Sequence, residues 1–226
     1  GRLDEFATQW KAERAAACAD PTARTYHGRL ACLSALRDEL GAATSLLASV
    51  PAEVLRGPMD ELVPKPMVCR SGQRAAMAPL PEDAATRAAF SEIVRGSALA
   101  RFTSRSGDPE ASKRAAELAQ ATLDRARGID YPPALAIALE ARASVAHLAD
   151  DTALAMKLYE ETATAAEAAG VDGIRAMARI GQVECAIAES SNLDTIQAYA
   201  DKAAAAIERA GKDPILQAAL DVTMAR

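Results

Sequence analysis

The chain has 226 residues, 50% hydrophobic but only 4% aromatic, and a net charge of −5 at neutral pH. Scarce aromatics and the lack of β-patterned runs of Val, Ile, Thr and Tyr exclude a sheet-based fold and leave an all-α class. The acidic balance excludes a nucleic-acid binder, which needs a concentrated basic face, and no apolar run of about 18 residues points to membrane contact by this segment.

In chain order, Leu3, Phe6, Trp10 and Ala17 form an apolar stripe on a first helix that Pro21 ends, because proline rejects an interior helical position. A second helix runs from about Arg24 to Ser49 on Leu33, Leu36, Leu40, Ala43 and Leu47, with Gly41 tolerated at some cost. Pro51 sits where a helix could restart, with Val54, Leu55 and Leu62 as a short apolar face. The stretch from Gly57 to Pro81 carries Pro58, Pro64, Pro66, Pro79 and Pro81 and reads as a connection packed on the helices, with one helical turn expected around Val68 to Ala76. Pro81-Glu82-Asp83 then starts a helix from about Ala84 to Ser104 that contains Phe90, Ile93, Val94 and Ala98. Its Arg87, Arg95, Arg101 and Arg105 read as a solvated face in preference to a phosphate site.

Beyond this helix the chain repeats. Gly128, Gly170 and Gly211 each close an alanine-rich helical stretch, at intervals of 42 and then 41 residues. A period of this size marks stacked helical hairpins, none of which buries its apolar face alone. Turn and cap residues fall ahead of successive units at Gly107-Asp108-Pro109, Asp150-Asp151 and Ser190-Ser191-Asn192. The stripe Ala134, Ile137, Ala141, Val145 and Leu148 maps at a constant offset of 40 onto Ile174, Met177, Gly181, Cys185 and Ala188. Gly181 therefore marks an expected close helix contact. A third unit opens at Asp194, turns at Gly211-Lys212-Asp213-Pro214 and continues through Leu216, Leu220 and Met224 until Arg226. It stops in mid-helix, so the array is expected to continue in a longer parent or to be covered by a neighbour, and its open last unit offers a surface for self-association. The fold expected is an α-α superhelix of helical hairpins over 83–226, preceded by an N-terminal helical module over 1–82.

The four cysteines do not all carry the same reading. Cys185 lies on the repeat stripe as a small buried hydrophobe. For Cys18, Cys32 and Cys69 the default is reduced core cysteines, and one disulfide is the other reading. If Pro21 marks a tight hairpin turn, Cys18 and Cys32 are offset by about eight residues, roughly 12 Å along the helices, more than the roughly 7 Å a bridge tolerates. Cys32 to Cys69 and Cys18 to Cys69 depend on how the irregular segment folds back, and either bond would imply an oxidising compartment. Cys18, His27 and Cys32 lack zinc-site spacing. His27 and His147 are the only histidines, and no nucleophile-base set, metal set or cofactor motif emerges. Asp150-Asp151 and Glu160-Glu161 read as caps and solvated faces, with Lys157 and Glu161 as an i, i+4 pair.

The order Trp10, Ala17-Cys18, Arg29-Leu30-Ala31-Cys32-Leu33, a long Leu-rich helix, Val54, Cys69, Pro79-Leu80-Pro81-Glu82-Asp83 and degenerate repeats of about 40 residues resembles a recurrent C-terminal region of large bacterial Hanks-type serine/threonine protein kinases, built on tetratricopeptide-like units. The resemblance covers nearly the whole chain from Trp10 and implies a kinase domain ahead of Gly1, followed by a membrane span, with the side of the membrane left open. This chain would then be the sensory or docking half. It has no Gly-rich phosphate loop, HRD or DFG element, so it is expected to be non-catalytic. First helices of tetratricopeptide hairpins line the binding groove, which makes Lys157, Tyr159, Glu161, Tyr199 and Lys202 the candidate partner-binding residues. The two tyrosines also fit a structural role. The expected partner is a protein or peptide, with a small molecule seated in the superhelical groove as the other reading.

Overall fold

The computed structural model describes residues 1–49, 63–70, 78–105, 108–189 and 192–225. Within them the chain forms α1 (Arg2–Cys18), α2 (Tyr26–Ser49), a 3-10 turn (Pro66–Cys69), α3 (Ala84–Ser104), α4 (Pro109–Arg127), α5 (Pro132–Leu148), α6 (Thr152–Ala168), α7 (Asp172–Ala188), α8 (Leu193–Arg209) and α9 (Pro214–Met224). No strand occurs among the described residues, and no described helix is long and apolar enough to cross a membrane.

The helix starts follow from side-chain chemistry. Asp83, Asp108, Asp151, Asn192 and Asp213 each accept a hydrogen bond from a first-turn backbone N–H, that of Thr86, Ala111, Leu154, Thr195 and Ile215 respectively. Each carboxylate or amide oxygen thereby satisfies one of the donors that a helix N-terminus leaves open. At the other ends, Gly170 (φ +67°) and Gly211 (φ +80°) take the left-handed conformation that favours glycine. Gly128 closes α4 without leaving the right-handed region, at φ −87°. The expected turn at Gly107 and at Ser190-Ser191, and the helix on Val54, Leu55 and Leu62, lie outside the described residues. So do Ser71 to Ala76 of the expected helical turn, of which the described part is the 3-10 turn.

From α3 onward each helix packs on the next, and a second set of contacts joins α3 to α5, α5 to α7 and α7 to α9. The α4, α6 and α8 helices make little contact with one another and are joined through the helices between them. The row whose members touch, α3, α5, α7 and α9, is termed the inner row here, and α4, α6 and α8 the outer row. The repeat stripe holds in most positions: Ala134, Ala141, Val145, Gly181 and Cys185 are buried and Ile137 and Ile174 half-buried, whereas Leu148, Met177 and Ala188 are exposed. Gly181 has the expected close contact, because a Cβ there would overlap the ring of Tyr159 on α6.

The N-terminal helices have their own cluster of Phe6, Cys32, Leu33, Leu36 and Cys69, with Trp10 and Leu40 against it. The Trp10 indole N–H donates to the carbonyl of Leu33 at 2.8 Å. Cys32 and Cys69 are joined by a disulfide, with Cα atoms 5.8 Å apart, so the default reading of reduced core cysteines is corrected for this pair. The physical reason is that the 3-10 turn packs on both α1 and α2, which carries Cys69 within bridging range of Cys32. Cys18 is free and exposed, and Cys185 is free and buried. Toward the array, α2 packs on α3, where Asp38 accepts a hydrogen bond from Ser91 at 2.7 Å. The described C-terminal end of the proline-rich connection is anchored as well: Leu80 packs on the main core and the Tyr131 hydroxyl donates to the carbonyl of Pro79.

Candidate functional site

The residues singled out by sequence lie on α6 and α8, two helices that make little contact with each other. Lys157 and Lys202 are exposed, Glu161 and Tyr199 half-buried, and Tyr159 buried. Tyr199 packs at the edge of the α7–α8–α9 cluster, with the Lys202 ammonium 5.1 Å from its ring centre. The expected Lys157–Glu161 pair is not formed. Instead the neighbouring Glu160 binds Arg179 of α7 at 2.5 Å and accepts from Gln182 at 2.8 Å, hydrogen bonds that hold its carboxyl below the usual glutamate value.

Tyr159 is the exception in direction. Its ring tip crosses α7 where Gly181 has no side chain, and its hydroxyl lies in the field of Glu140, Glu184, Cys185 and Arg101. Burial, reinforced by the two carboxylates, pushes its ionisation far above the ordinary value, so the phenol stays protonated. An outer-row side chain thus ends among inner-row groups.

Those groups form a polar belt along the inner row. Arg101 of α3 donates to Glu140 of α5 at 2.6 Å. Burial works against its charge, but Glu140 and Glu39 of α2 hold the guanidinium above its ordinary value. Arg101 is thus an ion-pair partner and no longer part of a solvated basic face. Further along, the His147 imidazole on α5 lies 3.6 Å from the Cys185 sulfur and 3.8 Å from a Glu184 carboxylate oxygen, both on α7. The Thr223 hydroxyl of α9 donates to Glu184 at 3.3 Å. Sequence reading missed this belt. Its one signal was that Cys185 shares the stripe along which α7 meets α5, which puts His147 on α5 within reach.

A sulfur, an imidazole and a carboxylate in a row invite a nucleophilic reading. Burial, then Glu184 and Glu189, push the Cys185 thiol up to about 12, and the residue is fully buried. At neutral pH it is a thiol without access to a substrate, whereas the thiolate is the nucleophile. Among the described residues no grouping of His, Cys, Asp and Glu could hold a metal ion.

At the far end, α9 turns Ile215, Val222 and Met224 to solvent. A shallow hollow of about 650 Å³ between α8 and α9 is lined by Ala204, Ala205, Glu208, Pro214, Gln217 and Ala218. It is not the closed, polar-studded concavity that a small-molecule site requires. Comparison of the chain with protein-family models, with characterised proteins and with solved structures gave no match.

Proposed function

We propose that this chain is a non-catalytic protein-interaction region whose inner helix row grips a peptide segment of a partner protein. The observation that carries the reading is the polar belt Arg101, Glu140, His147, Glu184 and Thr223, drawn from four successive inner helices. Partly exposed charged groups spaced along a row suit an extended partner, since each helix can contact a different part of it. The resemblance to the C-terminal region of bacterial serine/threonine kinases supports a regulatory role beside a catalytic domain supplied elsewhere in a longer chain. The Cys32–Cys69 disulfide supports an oxidising compartment as the working environment.

The test is selection from a displayed random-peptide library against the folded, oxidised chain. Enriched peptides should lose affinity for the Glu184→Lys variant and keep it for Lys157→Ala on the outer row. Failure to enrich peptides above an unrelated helical protein would sink the reading.

A further inference from the structure

The belt has an electrostatic imbalance. Around Arg101 and Tyr159 stand three carboxylates, Glu39, Glu140 and Glu184, against one guanidinium. Arg101 is engaged by Glu140 at 2.6 Å. Among the described residues Glu184 is held by Thr223 at 3.3 Å and His147 at 3.8 Å, and its side chain is 33% exposed. Carboxylates at a half-buried face have lost part of their hydration, and a matching positive group restores that loss.

An independent observation concerns the phenol of Tyr159. The residue is 5% exposed, yet among the described residues no group hydrogen-bonds its hydroxyl, which lies among Glu140, Glu184 and Cys185. The hydroxyl is not among the fully enclosed polar atoms that lack a partner, so its tip is open to solvent. The ring reaches this place only because α7 has a glycine at position 181. A phenol passed between two helices with its tip open to solvent can hydrogen-bond a group that arrives there.

We infer that Tyr159, Glu140 and Glu184 form a binding site on the inner face for an organic cation, an alkylammonium or guanidinium group. Such a group has several N–H donors: one reaches the phenol oxygen and others reach the Glu184 and Glu140 carboxylates, offsetting the charge imbalance and satisfying the hydroxyl together. An anion would face two or more carboxylates and is disfavoured by the same arithmetic. The inference rests on the proposed interaction role, in which the cation is a lysine or arginine side chain of the bound peptide.

The experiment titrates the isotopically labelled chain and follows the backbone amide resonance of Gly181, beneath the Tyr159 ring. The probes are a glycine pentapeptide with one central lysine, the same peptide with norleucine, and free butylamine. The lysine peptide should move the resonance and the norleucine peptide should not. Tyr159→Phe, which removes only the hydroxyl, and Glu184→Gln should each weaken lysine-peptide binding about tenfold while circular dichroism stays unchanged. If butylamine alone binds with the same dependence on Tyr159 and Glu184, the cation site stands and the peptide-gripping role falls. If the lysine peptide binds equally well to both variants, the interaction role stands and the cation site is overturned. No shift with either amine at millimolar concentration overturns the site as well.

Discussion

The N-terminal pair of helices and the ladder from α3 onward bury different kinds of side chain. In α1 and α2 the buried set includes Phe6, Leu33 and Leu36, fastened by the Cys32–Cys69 disulfide and by the buried Glu13 carboxylate, which Arg70 and Arg29 approach. In α5 and α8 the buried positions are mostly alanine: Ala134, Ala136, Ala138, Ala141 and Ala143 on α5, and Ala200, Ala203 and Ala206 on α8. A buried methyl contributes only about 0.8 kcal/mol, whereas a whole leucine contributes about 1.5–3. The ladder offsets small side chains with close approach and with repetition, each helix being covered by its neighbours on both sides. The terminal pair meets the ladder chiefly through α2 on α3 and adds a covalent bond and charged groups held close together.

That contrast breaks most directly at the disulfide. Reduction of Cys32–Cys69, whose partners are 37 residues apart, should cost about 4 kcal/mol by loop-closure entropy. Hydrogen exchange should then lose protection in α1 and α2 and keep it in α5 to α7. Equal loss throughout would mean that the two regions unfold as one unit.

The ladder is most sensitive where its helices approach most closely. Gly181→Leu drives a side chain into the Tyr159 ring and should cost roughly 1–3 kcal/mol by overpacking. Adding Tyr159→Ala should recover part of that loss in thermal melts, since the cavity and the added bulk coincide. An unchanged midpoint in the single variant would show that this contact is not tight.

The helix caps of the ladder were legible from sequence because they depend on local chemistry. Asp83, Asp108 and Asp151 announce helix starts with their own side chains, and Gly170 and Gly211 announce ends with backbone freedom. Hydrophobic periodicity tells which face of a helix is buried, but not whether the helix belongs to the inner or outer row. Tyr159 and Tyr199 were placed on a groove-lining layer, and in the packing their helices, α6 and α8, belong to the row whose members make little contact with one another. The Cys32–Cys69 bond was beyond local reasoning, because it depends on the path of a proline-rich segment that has no periodicity to read.

A cap in the ladder gives a smaller effect. Asp151→Ala removes the acceptor for the Leu154 N–H and should lower stability by about 1 kcal/mol, read from the urea midpoint. The comparable Asp20→Ala change in the exposed α1–α2 turn removes local bonds, chiefly those from Thr22. It should leave the midpoint within about 0.5 kcal/mol of the parent.

The smallest expected effect is the pH dependence of the Glu160–Arg179 pair. The Glu160 carboxyl is held below its ordinary 4.5 by hydrogen bonds from Arg179 and Gln182. Its contribution is therefore fully present above that value and fades as pH falls through the depressed one. With Glu160 56% exposed, screening limits the term to under about 0.5 kcal/mol. Glu160→Gln should lower stability by under about 0.5 kcal/mol at neutrality, and its difference from the parent should shrink as pH falls below about 4.5. A difference that does not change with pH would reassign the residue to packing.

The covalent bond between α2 and the 3-10 turn also reroutes mechanical load. Tension applied between Gly1 and Arg226 enters α2 through its first turns, leaves the backbone at Cys32 and re-enters at Cys69, 37 positions later. Everything between those two residues is outside the load path, including most of α2 from Leu33 to Ser49. The hidden length is roughly 120–130 Å at full extension, released in one step when the bond is reduced. A pulling force therefore meets a shorter molecule in an oxidising medium than in a reducing one.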